Sequence, residues 1–204
     1  MKKVGVLALQ GAITEHIAML GRAGAEGVPV KDVPGLGGLA GLVIPGGEST
    51  AISRLIRRNS MAEAIRDFAA THPVLGTCAG LVLCGTAVSG AGGAPPGREE
   101  MAEPAGQDCL EPLRLMDITV SRNGFGSQVN SFETTLPVRG VGEDVPAVFI
   151  RAPYIERAGD SVSVLAEVDG KIVMAESGTV LVTAFHPELA DDMRIARYFC
   201  AKMK

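Results

Sequence analysis

The stretch from Val74 to Leu81 has the composition and spacing of a site built around one reactive cysteine. Cys78 ends an apolar run, and Gly76 and Gly80 stand two residues before and two residues after it. This spacing is typical of a nucleophile elbow, a sharp turn from a strand into a helix that holds the reactive atom at the bend. The N-terminus of that helix favours a thiolate. The alternative is that Cys78 is a small buried apolar residue.

A cysteine nucleophile needs a base, and His186 is the best placed of the three histidines. It ends the apolar run Val180–Phe185, and the carboxyl ends of strands are where sites of α/β proteins gather. Pro187 favours an extended conformation at His186, so Glu188 is expected on the same side as the imidazole. A carboxylate there orients the ring and stabilises imidazolium. Alternatively, both are ordinary polar residues at a strand end.

A glycine loop is the third candidate part of the site. The glycine loop, Pro45-Gly46-Gly47-Glu48-Ser49, also follows an apolar run and precedes a helical pattern. Glycines let backbone N–H groups face a ligand, and a helix N-terminus favours negative charge. Beside the elbow, the loop is expected to supply one oxyanion donor, the Gly47 N–H, with the Ala79 N–H as the second. The alternative is a plain glycine turn.

The first half of the chain alternates short apolar runs with helical patterns, which predicts an open, mainly parallel α/β sheet. His16 is expected on the exposed side of the first helix, and Ser60 is expected to open the third helix through a capping box with Glu63. The predicted strands here are Val4–Leu9, Val28–Val33, Gly41–Ile44 and Val74–Thr77.

The second half is richer in predicted strands and begins with an interruption. Residues 89–112 are rich in Gly, Pro, Ala and Glu, which indicates a surface insertion, either a tolerated loop or a lid. Asp169-Gly170 predicts a hairpin turn, and Leu189–Lys204 has the pattern of an amphipathic helix. The predicted strands are Asp117–Ser121, Phe132–Thr135, Ala147–Ile150, Val162–Val168, Lys171–Glu176 and the run before His186. Nothing divides the 204 residues into two domains, so a single domain is expected.

Composition restricts the partners and the compartment. A hydrophobic content of 47% indicates a globular chain, and a net charge of −4 without a basic stripe argues against nucleic acid. No apolar run reaches the roughly 20 residues of a membrane span. The four cysteines form no C-x-x-C pair, which favours a reducing cytoplasm over a disulfide framework or a zinc site.

Together these motifs resemble the class I glutamine amidotransferases, a family of Cys-His-Glu glutaminases. Longer stretches resemble the glutaminase subunits of pyridoxal 5′-phosphate synthases within it, from the first strand to the final helix. These stretches are Gly5–Gly11, Pro45–Thr50, Phe125–Gln128, Ser131–Glu133 and Phe149–Ile155. The resemblance implies a flavodoxin-like parallel sheet extended by antiparallel strands.

The resemblance also implies roles for single residues. Cys78 would be the nucleophile and His186 and Glu188 its triad partners, with no metal or cofactor in the glutaminase step. Ammonia would pass to the synthase subunit of a large hetero-oligomer. One departure is Ser127, which stands where the family usually has an arginine. Implied glutamine-binding residues are Gly47, Glu48, Ser49, Arg122, Ile150 and Arg151.

The glycine loop offers a way for the synthase partner to control the glutaminase activity. The peptide joining Gly46 and Gly47 can flip at little steric cost, and Gln10 is expected to hold either orientation by hydrogen bonding. Three alternatives remain at this point: a glutaminase serving another synthase, such as imidazole glycerol phosphate synthase, a cysteine-elbow peptidase or chaperone, and a scaffold subunit with a dead site. The intact triad argues against the last.

Overall fold

The computed structural model describes residues 1–89, 110–122 and 131–204. Most of the predicted insertion at 89–112 and the Ser127 position lie outside the described residues. The described residues form twelve strands: β1 (Lys3–Leu7), β2 (Glu26–Val30), β3 (Gly41–Ile44), β4 (Val74–Thr77), β5 (Ala87–Ser89), β6 (Ile118–Ser121), β7 (Ser131–Val138), β8 (Gly142–Ile150), β9 (Tyr154–Ala158), β10 (Ser163–Val168), β11 (Lys171–Ser177) and β12 (Val180–Thr183).

Five α-helices and two short 3₁₀ turns accompany these strands in the described residues. The 3₁₀ turns are Pro34–Leu36 and Pro187–Leu189. The helices are α1 (Ile13–Arg22), α2 (Ser49–Arg58), α3 (Ala62–Thr71), α4 (Ala79–Cys84) and α5 (Arg194–Ala201).

Five strands form a parallel sheet in the order β2-β1-β3-β4-β12. This is the 2-1-3-4-5 order of flavodoxin-like folds, and it places the sequence-distant strands β4 and β12 side by side. Thr77 and Thr183 are paired at the ends of those two strands. The residues that follow each strand, Cys78 and His186, therefore emerge at one edge of the sheet. The flavodoxin-like prediction is confirmed.

The sheet continues beyond β12 through strands that are mostly antiparallel. β11 pairs antiparallel with β12, β9 with β11, and β6 with β9, while β5 lies parallel to β6 at the edge. β10 pairs with β11 across a turn in which Asp169 and Gly170 both have positive φ, of 51° and 71°. These values suit the predicted two-residue hairpin turn. β7 and β8 form a separate two-stranded sheet.

The core explains the apolar runs of the first half. Every residue of β3, β4 and β12 is buried, because parallel strands are covered on both faces. Each fully buried Val, Leu or Ile side chain contributes about 1.5–3 kcal/mol to stability. Polar chemistry is consequently confined to the strand ends, where the chain leaves this layer.

Some boundaries differ from the sequence predictions. The capping box at Ser60 is wrong: Ser60 has a φ of 52°, and the side chain of the N-cap residue of α3, Met61, makes no capping hydrogen bond. The N–H groups of Ser60 and Met61 instead donate to the carbonyls of Arg57 and Ile56. These two bonds form a Schellman motif, so Ser60 ends α2.

The last predicted helix was too long, since Pro187–Leu189 is a 3₁₀ turn and α5 spans Arg194–Ala201. The second strand begins at Glu26 and ends at Val30, ahead of the 3₁₀ turn at Pro34. Strands β5 and β9 were not predicted.

Candidate active site

Cys78 occupies the bend between β4 and α4 that the glycine spacing predicted. Its φ of 50° and ψ of −102° are unusual for a residue with a side chain and cost on the order of 1–3 kcal/mol. The bend is held because the Cys78 N–H donates to the Thr183 carbonyl at 2.8 Å. A Cβ on Gly80 would collide with the Ile44 carbonyl. The close approach of α4 to β3 therefore requires glycine at that position.

His186 and Glu188 lie together at the end of β12, both more than 90% buried. His186 Nδ1 is 2.7 Å from Glu188 Oε1. The sequence predicted an extended chain after His186, but Pro187–Leu189 turns in a 3₁₀ conformation and brings the carboxylate to Nδ1 of the ring. The predicted neighbours are in contact, through a different backbone path.

The charges of this pair follow from its surroundings. Burial alone would lower the pKa of His186, but hydrogen bonding to Cys78 and Glu188, and their negative charges, raise it to about 10. Burial would likewise raise the pKa of Glu188, yet the hydrogen bond from His186 and the positive charge of that ring hold it below its ordinary value. The site thus favours an imidazolium next to a carboxylate, with a proton available for a leaving group.

His16 is not on the exposed side of α1, and that prediction is wrong. The side chain is fully buried, with Nε2 3.0 Å from Thr77 Oγ1 and 3.5 Å from Glu188 Oε1. The sequence carried a signal for this position: His16 is three residues after Ile13 and four before Leu20, the spacing of one helix face.

The glycine loop passes directly against the triad. The Gly46 N–H donates to Thr77 Oγ1 at 3.0 Å, and the Gly46 carbonyl accepts from the Ala12 N–H at 3.1 Å. Gln10 Oε1 accepts from the Glu48 N–H at 2.9 Å. Gln10 therefore holds the Gly47–Glu48 peptide, which is next to the Gly46–Gly47 peptide that it was predicted to hold. A Cβ on Gly46 would lie 2.5 Å from Cε1 of His186, so only glycine fits there.

The Glu48 side chain caps α2. It accepts from the N–H groups of Thr50 and Ala51 at 2.9 and 2.6 Å, and Arg122 Nη2 lies 3.3 Å from its Oε1. Burial opposes the charge, but the backbone hydrogen bonds and Arg122 keep the pKa of Glu48 below its ordinary value. Glu48 therefore remains anionic while it fixes the start of the helix beside the thiol.

One pocket of about 420 Å³ unites the predicted residues. Its volume suits a small molecule, and Cys78 and His186 lie in its wall. Glu188 and Gly46 lie behind the wall, and two apolar lining residues, Val82 and Pro153, were not predicted. The other lining residues are Gln10, Gly47, Glu48, Ser49, Ala79, Arg122, Ile150 and Arg151.

Other groups in the described part of the chain offer less chemistry. Cys84 is fully buried, and burial raises the pKa of its thiol to about 12, so it is not a nucleophile at neutral pH. Residues 1–89, 110–122 and 131–204 bring together no group of three His, Cys, Asp or Glu side chains suited to a metal ion. Over the same ranges, no helix is both long and apolar enough to cross a membrane.

Comparisons with known proteins agree with this geometry. The model of the SNO glutamine amidotransferase family matches residues 6–204. A pyridoxal 5′-phosphate synthase subunit PdxT from Brevibacillus brevis is 49% identical over 203 residues, 99% of this chain and 97% of that one. Another from Niallia circulans is 50% identical over 198 residues, 97% of this chain and 95% of that one.

Similarity in three dimensions covers the same length. A solved structure described as a glutamine amidotransferase superposes with a TM-score of 0.85 at 38% sequence identity, covering 98% of this chain and 97% of its own. The thiol, imidazole and carboxylate meet at the sheet edge of a fold shared along the whole chain. The protein is thus a member of the SNO glutamine amidotransferase family.

Proposed function

We propose that the chain hydrolyses the side-chain amide of L-glutamine through Cys78, His186 and Glu188. The observation that carries this proposal is the 2.7 Å contact of His186 with Glu188 in the wall of the pocket that also holds the Cys78 elbow. Glutamine is the substrate that the family name states. The chain is the glutaminase subunit of a pyridoxal 5′-phosphate synthase, as full-length similarity to relatives bearing that subunit name supports.

The chemistry is acyl transfer through a thioester. The Cys78 thiolate attacks the amide carbon, forming a C–S bond while the carbonyl oxygen becomes an oxyanion. Protonated His186 gives its proton to the nitrogen as the C–N bond breaks, and ammonia leaves. Neutral His186 then takes a proton from water, whose oxygen attacks the thioester carbon. Cleavage of the C–S bond releases glutamate and the thiolate, while Glu188 holds the ring throughout.

The oxyanion is assigned to the N–H groups of Gly47 and Ala79, both on the pocket wall. One such donor typically contributes about 2.7–4 kcal/mol to lowering the barrier. The Gly46–Gly47 peptide is fixed by the bond from the Ala12 N–H to the Gly46 carbonyl. Flipping that peptide would break this bond, so Ala12 joins Gln10 as part of the proposed switch.

The residues at the pocket mouth are proposed to bind the α-ammonium and α-carboxylate groups of glutamine. Glu48 is anionic, and Arg122 and Arg151 supply positive charge on the pocket lining. In a zwitterionic substrate, the α-ammonium group would bind Glu48 and the α-carboxylate would bind Arg122 and Arg151. Ser49 and Ile150 complete this part of the wall.

A synthase subunit is the proposed recipient of ammonia. Among the described residues, four large apolar side chains are exposed; of these, Ile150 lines the pocket and Leu189 directly follows Glu188. Exposed apolar groups beside a reaction centre suit the docking of another subunit. Docking there would select the active loop conformation and receive ammonia before it reaches solvent. The cysteine pattern supports a cytoplasmic setting for this assembly.

Glutamine labelled with ¹⁵N in its amide tests both steps. The chain is mixed with its synthase subunit, a pentose phosphate and a triose phosphate, and glutamate and labelled pyridoxal 5′-phosphate are measured. We expect both products with the complex, little glutamate from the chain alone, and neither product with Cys78→Ala. Glutamate without label transfer would overturn the channelling step. A complex that forms but releases no glutamate would overturn the glutaminase assignment.

A further inference from the structure

His16 contacts the triad carboxylate but has no part in the reaction derived above. It is fully buried in α1, and its Nε2 faces both Thr77 Oγ1, at 3.0 Å, and Glu188 Oε1, at 3.5 Å. Its other ring nitrogen, Nδ1, has no hydrogen-bond partner among the described residues. A buried histidine in such a place requires a physical account.

The surroundings select one form of the ring. Burial lowers the pKa of His16, and the charge of His186 lowers it further against the opposing effect of Glu188, so the ring is neutral. A neutral imidazole carries one N–H. A proton on Nδ1 would leave a buried donor unsatisfied and point the Nε2 lone pair at an anionic carboxylate oxygen. The proton therefore belongs on Nε2, where it donates to Thr77 and faces Glu188.

Thr77 extends this contact to the glycine loop. Its buried hydroxyl oxygen accepts from the Gly46 N–H at 3.0 Å, in addition to the bond from His16. The same Glu188 oxygen that His16 faces accepts from His186 Nδ1 at 2.7 Å. A continuous chain of short contacts thus runs from His186 through Glu188, His16 and Thr77 to Gly46.

We propose that His16 is a positioning residue that ties the orientation of the Glu188 carboxylate to that of the glycine loop. The role rests on the proposed glutaminase function. His16 touches neither the substrate nor the thiol; its Nε2 N–H donates to Thr77 and lies against the Glu188 carboxylate, which belongs to a different element. The acid–base pair and the oxyanion loop are thereby held in one arrangement. This contact is the physical link by which a movement of the loop reaches the triad.

The first test uses matched variants at position 16 in the complex with the synthase subunit. His16→Leu removes the donor at similar volume, and His16→Gln returns an N–H at the ε position. We expect kcat to fall about tenfold in His16→Leu with KM little changed, because the hydrogen bond to Thr77 and the polar contact with the Glu188 carboxylate are both lost. His16→Gln should recover most of kcat, and His72→Leu, outside the site, should match wild type. The positioning role of His16 would be overturned if His16→Leu and His16→Gln lost kcat equally while both kept the melting temperature of the wild type.

The second test asks whether His16 and Thr77 act as a unit. Thr77→Val removes the hydroxyl, and Thr77→Ser retains it. We expect Thr77→Val alone to lower kcat and Thr77→Ser to stay near wild type. The double variant His16→Leu/Thr77→Val should have a kcat no lower than that of the slower single variant. Multiplicative losses would overturn the link. If His16→Leu does not fold, comparison of Thr77→Val with Thr77→Ser tests the proposal instead, because a wild-type rate in Thr77→Val contradicts it. A wild-type complex that releases no glutamate would instead overturn the glutaminase function.

Discussion

The parallel strands β1 to β4 and β12 and the largely antiparallel strands β5 to β11 make different contributions to one pocket. In the parallel part, every residue of β3, β4 and β12 is buried, and polar groups appear where these strands end. In the antiparallel part, β7 and β8 alternate buried and exposed residues along their length. The first part carries Cys78 and His186, and the second carries Ile150 and the adjoining Arg151.

The difference separates rigidity from recognition. The groups proposed to exchange protons and form bonds are fixed by strands covered on both faces, where a displacement would disturb the core. Arg122, Ile150 and Arg151, proposed to surround the substrate, adjoin strands with a solvent-facing side, which tolerate change more readily. Substitutions of the triad in the parallel part should therefore change kcat, and substitutions of Arg122 or Arg151 in the antiparallel part should change KM.

The largest effect is expected from Cys78→Ala. It removes the nucleophile and little volume, so glutamate release should fall at least about a thousandfold while the fold is retained. Glutamine turnover in the synthase complex and the melting temperature measure the two effects. Cys200→Ala, at a half-buried thiol on α5, is the matched control and should keep normal turnover. Turnover near wild type in Cys78→Ala would assign the nucleophile to another residue.

The next largest effects concern the base and its carboxylate. His186→Asn should lower kcat toward the upper end of about 10²–10⁴-fold, because thiol activation and proton donation both pass through the ring. Glu188→Gln should cost less, because Glu188 transfers no proton. Steady-state kinetics of both variants rank them. A larger loss in Glu188→Gln would reverse the roles given to these two residues.

A change in the antiparallel part should act on binding. Arg122→Gln removes a positive charge near Glu48 at the pocket mouth and should raise KM for glutamine about tenfold with kcat little changed. Arg157→Gln, on β9 and paired with Asp117, is the matched control outside the pocket. Should Arg122→Gln lower kcat and leave KM intact, the division between the two parts would be wrong.

Stability should also depend on pH through the parallel part. His186 has a pKa raised to about 10, against about 6.5 in the unfolded chain, so the folded state binds the proton more tightly. Its contribution is complete below about pH 6.5 and is lost as pH rises toward 10. Urea unfolding across this range should show a smaller decline in Cys78→Ala, which lacks one group that raises the pKa. Identical declines in the two proteins would contradict this origin.

The smallest effect is expected from shortening the segment 90–106. Its Gly- and Pro-rich composition predicts a tolerated surface loop, so its deletion should leave glutamine turnover within about twofold of wild type. Turnover and complex formation are measured on the shortened chain. Loss of complex formation alone would make the segment part of an interface, and loss of both would place it in the site or the core.

The same contrast explains how much the sequence predicted. The bounds of β3 and β4 were predicted without error, because a strand buried on both faces is an uninterrupted apolar run. β9 was not predicted because Glu156 and Arg157 break its apolar pattern, and its partner β6 is distant in the chain. A strand of this kind is stabilised by its pairing with distant strands, which the composition of the segment itself does not reveal.

Within the site, residue types with a strong spacing signature were found and single supporting residues were not. The elbow at Cys78 and the pair of His186 and Glu188 follow from short motifs. His16 was placed on the wrong side of α1, and the contact of Ala12 with Gly46 was not foreseen. Both depend on how α1 packs against the glycine loop and the elbow, which is a tertiary property.

The position of β12 between β4 and β11 has a consequence for the newly made chain. Cys78 is synthesised well before His186, and more than half of the chain separates them. The two sides of the gap that β12 fills come from different parts of the sequence, so its insertion closes a long loop and is intrinsically slow. The thiol consequently lacks its base, and β4 lacks its neighbour β12 although β3 is already made, during most of synthesis. Acquisition of a reactive cysteine is thereby coupled to completion of the sheet.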